Sequence, residues 1–386
     1  MRPILLTALA CLILAATSLA NSNPTISQLY SFSCNSDYSS CPEGMDPTLT
    51  PIQLSDGNFY GVTWWAGQGS SNNGGTVWKI TPAGAASVVH TFAAGKNGQF
   101  PKGENPVIGF AQGADHNLYG ITESGGATNQ GVMYKTASKG GFKVEHNFCT
   151  GQCQDIGGPI VLGADGNFYG IEYGGTILFR ITPTGSWSMF YTLSESQGFA
   201  ATLMVGADGN FYGTGGVGTP CDRQATVFKL TTGGAFSILY SFPAGTRIGG
   251  NLVQGTDGNF YGAVDNGYGT SIFQLTPAGT VNLIYQLQGE EGTEVVSLFQ
   301  ASDGNLWGLT ADGGPQPARP GALFGVSTSG SHVADAYFDC STTGCMPSGM
   351  IQGSDGNFYG IATSGGSSPG RNPMGTLFKV VTGLRN

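Results

Sequence analysis

Charge is scarce in this chain: Asp, Glu, Lys and Arg make up 10% of its residues, against about 25% in ordinary soluble domains. A sequence so poor in charge has little with which to coat exposed helices. Lys and Arg number 15 against 24 Asp and Glu, and the net charge is -9 with no basic run. That balance argues against nucleic-acid partners and charge-driven docking on anionic lipid, since both need clustered cations to meet phosphate. Histidine is reduced to four residues, and no HExxH, GxSxG nucleophile elbow or phosphate loop accompanies them. Beyond the N-terminus there is no second apolar run of about 18 residues, so stable membrane insertion is not expected.

Glycine is what the chain has in excess, at 65 of 386 residues, more than double the usual share of about 7%. These glycines recur at fixed places beside aromatic and β-branched residues, the mark of ordered turns rather than of a disordered segment. At the N-terminus, Arg2 precedes an apolar stretch from Ile4 to Ala16 and then Ser18-Leu19-Ala20. Residues 1–20 therefore read as a signal peptide and 21–24 as a short leader, which places the protein outside the cytoplasm, extracellular or periplasmic. Cys11 as a lipid attachment site would leave only a stub of hydrophobic segment before it.

The hexapeptide DGNFYG begins at Asp56, Asp165, Asp208, Asp257 and Asp355, with the variants DHNLYG at Asp115 and DGNLWG at Asp303. The spacing of about fifty residues is that of a four-stranded propeller blade. Each hexapeptide follows a short apolar segment, such as PIQLS at Pro51, and runs into another, so Asp-Gly-Asn reads as the hairpin between strands a and b. Strand c follows a Gly-containing loop: TVWKIT at Thr76, VMYKTA at Val132, ILFRIT at Ile177, TVFKLT at Thr226, SIFQLT at Ser271, ALFGVS at Ala322 and TLFKVV at Thr376. Strand d comes after a TPAG-like turn, as in SVVHTF at Ser87, SILYSF at Ser237 and VADAYF at Val333. The seventh repeat ends without a strand d, whereas SQLYSF from Ser27 to Phe32 precedes the first strand a. The expectation is an all-β, seven-bladed β-propeller of four-stranded antiparallel blades over residues 25–382, closed by the N-terminal strand completing the last blade, with 383–386 as a tail. Such a latch covers a blade edge that would otherwise be unpaired.

DGNFYG, a Gly-rich loop, GGTVWKITPAG from Gly74 and the LYSF strands together resemble the GloVer tandem-repeat family of exported bacterial proteins, over nearly the whole chain after residue 20. The resemblance implies export and a propeller-like repeat but no particular reaction. The anchoring segment that some members carry has no counterpart in the ending LFKVVTGLRN. The DGN turns are also similar to those of streptogramin lyases, seven-bladed propellers with a metal-assisted His and Glu centre. No His lies in the corresponding loops of this sequence.

Once Cys11 leaves with the signal peptide, six of the remaining cysteines fall into close pairs, each after a strand d: Cys34 with Cys41, Cys149 with Cys153, and Cys340 with Cys345. In an exported protein these read as local disulfides, although two close cysteines are also how a zinc half-site begins. Cys221 is left over, free or paired between molecules.

In an up-and-down blade the b-to-c and d-to-a loops share one face, and here that face carries the length variation and the cysteine pairs. Just after the b strands stand Trp64, Trp65, Glu123, Glu172, Tyr173, Asp265, Asn266 and Asp312. Rings that stack on apolar faces, beside carboxylates and amides that fix orientation, suit a carbohydrate or peptide ligand; the same residues equally pack or cap neighbouring loops. The seven hexapeptide Asp residues read as turn formers, since one carboxylate per hairpin does not gather the six to eight oxygens calcium needs. The strand c cations Lys79, Lys135, Arg180, Lys229 and Lys379 read as stems packed between blades with charged heads near the turn face. No metal, cofactor or catalytic residue is expected. The reading is a monomeric, secreted or periplasmic, non-catalytic binding or surface-interaction scaffold. The alternative is a hydrolase or lyase acting on a glycan or small molecule through a carboxylate pair drawn from Glu123, Glu172, Asp265 and Asp312.

Overall fold

A computed structural model describes residues 23–67, 73–106, 108–138, 140–148, 160–172, 174–218 and 224–383. Residues 1–20, for which a signal peptide is expected, lie outside the described residues, as do Cys149, Cys153, Tyr173 and Cys221. Each hexapeptide forms the expected hairpin. In the first, Asp56 Oδ1 accepts the Asn58 N–H at 3.1 Å, Asp56 Oδ2 accepts the Tyr60 hydroxyl at 2.7 Å, and Gly57 takes a φ of 77°. The Lys79 ammonium of strand c reaches the same carboxylate at 3.0 Å and lies 5.5 Å from the Tyr60 ring centroid. Lys135, Lys229 and Lys379 repeat this with Asp115, Asp208 and Asp355. These lysines are therefore fastened to the turn, each a cation placed over the ring of its own blade's tyrosine.

The seven hairpins grow into seven antiparallel sheets. Blade 1, for example, runs a Met45–Gln53, b Phe59–Trp65, c Thr76–Ile80 and d Ala86–Thr91. Blade 7 consists of a Cys345–Gln352, b Phe358–Ser364, c Asn372–Val381 and, as its outer strand, Thr25–Cys34. The latch runs in antiparallel register from Thr25 opposite Val381 to Cys34 opposite Asn372. Blade 4 departs from the pattern: its first strand is broken into Phe199–Ala200 and Met204–Val205, both paired to strand b.

The last glycine of every hexapeptide sits opposite an aromatic ring of strand c: Gly61 faces Trp78, Gly120 Tyr134, Gly170 Phe179, Gly213 Phe228, Gly262 Phe273, Gly308 Phe324 and Gly360 Phe378. A Cβ added at Gly262 would lie 2.6 Å from the Phe273 ring. The missing side chain is the space into which the ring folds.

First strands of neighbouring blades touch at junctions 1–2, 2–3, 3–4, 5–6, 6–7 and 7–1, so they surround the axis. Between successive blades lie apolar layers, such as Tyr119, Met133, Phe148, Phe168 and Phe179 between blades 2 and 3, and Phe32, Phe59, Trp78, Tyr359 and Leu377 between blades 7 and 1. Phe32 comes from the latch strand, which thereby contributes core as well as backbone pairing. Glutamines at the end of strand a stitch the turn face: Gln254, Gln300, Gln352 and Gln53 accept backbone N–H groups from the preceding blade's turn, at Ala207, Thr256, Ser302 and Ser354. The same side chains donate back to their own turns, as Gln53 does to the Gly57 carbonyl at 2.8 Å.

Cys34 and Cys41 are joined in a disulfide, with their Cα atoms 4.2 Å apart. Cys340 and Cys345, for which the same linkage is expected from spacing, are instead thiols. Hydrogen bonds already close their loop. The Asp339 carbonyl accepts the Thr343 and Gly344 N–H groups, its carboxylate holds Ser341, and the Cys345 Sγ lies 3.3 Å from Ser364 Oγ.

Candidate functional site

The position two residues beyond each hexapeptide stands at or near the end of strand b, and in blades 4, 5 and 7 it is Gly215, Val264 and Ala362. In blades 1, 2 and 6 it is Thr63, Thr122 and Thr310, buried hydroxyls that bond main-chain carbonyls at Glu43, Ser124 and Glu291. Blade 3 puts Glu172 there. Its side chain is 7% exposed. Oε1 accepts the Thr176 hydroxyl at 3.3 Å, whereas Oε2 is buried with no partner. Burial pushes the carboxyl above its ordinary range, against the modest pull of Thr176.

Glu172 lines a cavity of about 570 Å³ between blades 3 and 4. The break in the first strand of blade 4 creates it: after Ala200 the chain turns, with both Ala201 and Thr202 donating to the Thr214 carbonyl, and no further pairing is made until Met204. Phe199 supplies an apolar wall, and Gly174, Gly175, Gly198 and Gly216 supply bare main chain. A Cβ at Gly198 would lie 1.9 Å from the Gly216 carbonyl oxygen, so this wall is built by backbone approaching backbone. Glu172 is the only titratable side chain among the described residues that line the cavity.

Trp64 and Trp65 stack on each other at 5.8 Å with an interplanar angle of 29°, and are 37% and 40% exposed. Asn105 ties them to the exposed Glu123, donating to the Trp64 carbonyl at 3.2 Å while its own carbonyl accepts the Glu123 N–H. A second cavity of about 560 Å³ lies between the linker after blade 1 and the b-to-c loop of blade 2, bordered by Gln99, Phe100, Pro101, Thr128, Asn129 and Asn147. The sequence reading did not single these residues out, since amides in a loop carry no pattern.

The remaining candidates are engaged locally. Asp265 Oδ1 accepts the Gly267 N–H and Asn266 Oδ1 the Tyr268 N–H, which builds a tight turn beneath the 92% exposed Tyr268. Asp312 accepts the Thr293 N–H, the Thr293 hydroxyl and the Glu294 N–H. Although burial opposes ionisation, these bonds and the Arg319 charge hold its carboxyl below the ordinary range. The four acids come from four different blades, and Asp265 and Asp312 are engaged in their own loops. The histidines are likewise structural in three cases. His90 stacks on Phe142 at 3.6 Å, and burial takes it down to about 4. His146 bonds the Gly185 carbonyl, and His116 takes a φ of 61° in its turn.

Sheet order, hairpin and repeat define a seven-bladed propeller assembled from one unit. The model of the Gloeobacter/Verrucomicrobia repeat matches residues 16–219 and 200–384, and the chain belongs to that family. No curated protein matches it. Among solved structures, a streptogramin B lyase shares 15% identity at a TM-score of 0.60, covering 93% of this chain and 98% of the lyase. A catalytically inactive virginiamycin B lyase from Staphylococcus aureus, with quinupristin, shares 13% at 0.59, over 93% of this chain and 99% of its own. The extracellular domain of a putative hybrid two-component system from B. thetaiotaomicron shares 11% at 0.57, over 88% of this chain and 40% of that one. At these identities the likeness is one of fold. No helix among the described residues is long and apolar enough to cross a membrane.

Proposed function

We propose that this protein is an exported, non-catalytic carbohydrate-binding propeller whose ligand seats in the Glu172 cavity. The observation that carries the reading is the unpartnered, buried Oε2 of Glu172 at a position where three sister blades hold a satisfied threonine. Burying an acceptor without a donor costs about 1–3 kcal/mol, a cost that a sugar hydroxyl entering the cavity would remove. Phe199 offers an apolar face to a pyranose ring, and the glycine walls allow the ligand to approach main-chain groups. The stacked Trp64–Trp65 pair of blade 1 forms a separate exposed platform on which a sugar ring can lie. Export rests on the Arg2, Ile4–Ala16 and Ser18-Leu19-Ala20 pattern.

The glycan-hydrolase alternative needs two carboxyl groups about 5–9.5 Å apart across the scissile bond. Asp265 and Asp312 are committed to their own loops, and Glu172 has no acidic companion among the described lining residues. Binding without turnover is therefore favoured. Glycan-array screening followed by calorimetry tests this: Glu172→Ala is expected to weaken the best glycan at least about tenfold, the loss of one buried hydrogen bond to a carboxylate. Unchanged affinity in Glu172→Ala, a peptide bound in preference to any glycan, or product release from the bound glycan would each overturn it.

A further inference from the structure

We propose that the outer edge between blades 5 and 6 carries a divalent-cation site with Glu291, His332 and Asp335 as its ligands, and with zinc as the ion this donor set favours. The proposal departs from the absence of metal ligands expected from sequence. His332 Nε2 lies 3.0 Å from Asp335 Oδ2 and 3.9 Å from Glu291 Oε1, and the three ligand atoms all fall within 4.8 Å of one another. A tetrahedral ion with bonds of about 2.0–2.1 Å spaces its ligand atoms about 3.3 Å apart. The measured separations bracket that spacing.

A displaced bulge makes the arrangement. In blades 1 to 5 the outer strand carries its extra residue immediately before the His or Tyr near its end, at Val89, Glu145, Phe190, Leu239 and Ile284. In blade 6 the register shift falls between Gly325 and Val326, which makes Val333 the extra residue. Residues three apart in a regular strand point to opposite faces; one bulged residue between them brings His332 and Asp335 to the same side. Glu291 arrives from the linker after blade 5, and its carboxylate is held by two donors, the Tyr285 hydroxyl to Oε1 at 2.7 Å and the Gln288 N–H to Oε2. An oxygen with two lone pairs retains one toward His332. Such a supporting bond to a ligating carboxylate is how protein metal sites orient their ligands.

Two features are left unexplained by a His332–Asp335 ion pair alone. Asp335 Oδ1 is buried without a partner. Glu291 is 3% exposed, yet it faces a second carboxylate across one imidazole. A divalent cation would neutralise the two carboxylates. The mixed imidazole and carboxylate set suits zinc better than calcium or magnesium, which prefer oxygen throughout. The 47% exposure of the His332 side chain leaves a coordination position open to water or to a donor from a bound molecule.

Equilibrium dialysis of the full chain against Zn2+ alone tests the site, with free thiols alkylated so that they cannot serve as ligands. One ion per chain is expected, together with a raised Tm. His332→Gln and Asp335→Asn should each weaken binding at least about tenfold with the far-ultraviolet spectrum unchanged. Co2+ at the same site should show visible absorption bands that disappear in His332→Gln. No bound ion, or equal affinity in the parent and both variants, would overturn the proposal.

Discussion

A single aspartate does three jobs in each hexapeptide: it turns the chain through the N–H two residues on, anchors the ring four residues on, and in four blades receives a lysine from strand c. Burial opposes ionisation of these groups. Bonds from Asn, Tyr and Lys outweigh it and hold Asp56, Asp115 and Asp208 well below the ordinary carboxylate range, with Asp165, Asp257 and Asp355 shifted the same way. A folded-state pKa below the unfolded one adds stability above the unfolded value, and that stability is lost as pH falls toward the folded one. Tm is therefore expected to fall steadily on acidification below about pH 4, with a shallower fall in Asp208→Asn; a flat profile across that range would contradict the assignment. The hexapeptide's last glycine acts by what it lacks. In Gly262→Ala the new methyl meets the Phe273 ring 2.6 Å away, and denaturant unfolding should show a loss of about 1–3 kcal/mol, largely relieved when Phe273 is changed to Leu.

Elements decide where this repeat becomes specific. The outer strand Thr25–Cys34 is legible from sequence because SQLYSF copies the other d strands, and its register with Asn372–Val381 follows from that likeness. Removing Thr25 to Phe32 exposes the c strand of blade 7 and strips Phe32 from the layer between blades 7 and 1. Thermal melts of the truncated chain should show Tm lower by about 10 °C or more, whereas an unchanged melt would deny the latch a structural role. By contrast, the broken first strand of blade 4 and the shifted bulge of blade 6 leave no signature in residue type. The run Gly198-Phe199-Ala200-Ala201-Thr202 contains nothing that marks a break, and Val333 is a residue like any other in a strand. These two irregularities create the Glu172 cavity and the Glu291–His332–Asp335 cluster. Cys340 and Cys345 show the converse: a spacing that reads as a disulfide, in a loop that hydrogen bonds to Asp339 already close.

At the scale of the molecule, seven sheets close a ring whose apolar layers lie between neighbours, and among the described residues no blade has a core of its own. The glutamine stitches carry that continuity around the turn face, and Gln53 to Ser354 crosses the seam between the two chain ends. The sequence by itself determined the blade count, the strand order and the shared last blade. Those depend on local turn chemistry and period-two apolar patterning, and each is repeated often enough to be read against its copies. It also put Glu172 among the candidates, because the residue stands just after a b strand on the face that carries the loop variation. Only the tertiary structure decided that Asp265 and Asp312 spend their oxygens on their own loops, that Glu172 keeps one free, and that Glu291 meets His332 across a blade junction. Partnering of a polar atom depends on chain segments brought together by ring closure, and a sequence specifies those encounters only through the packing of the whole.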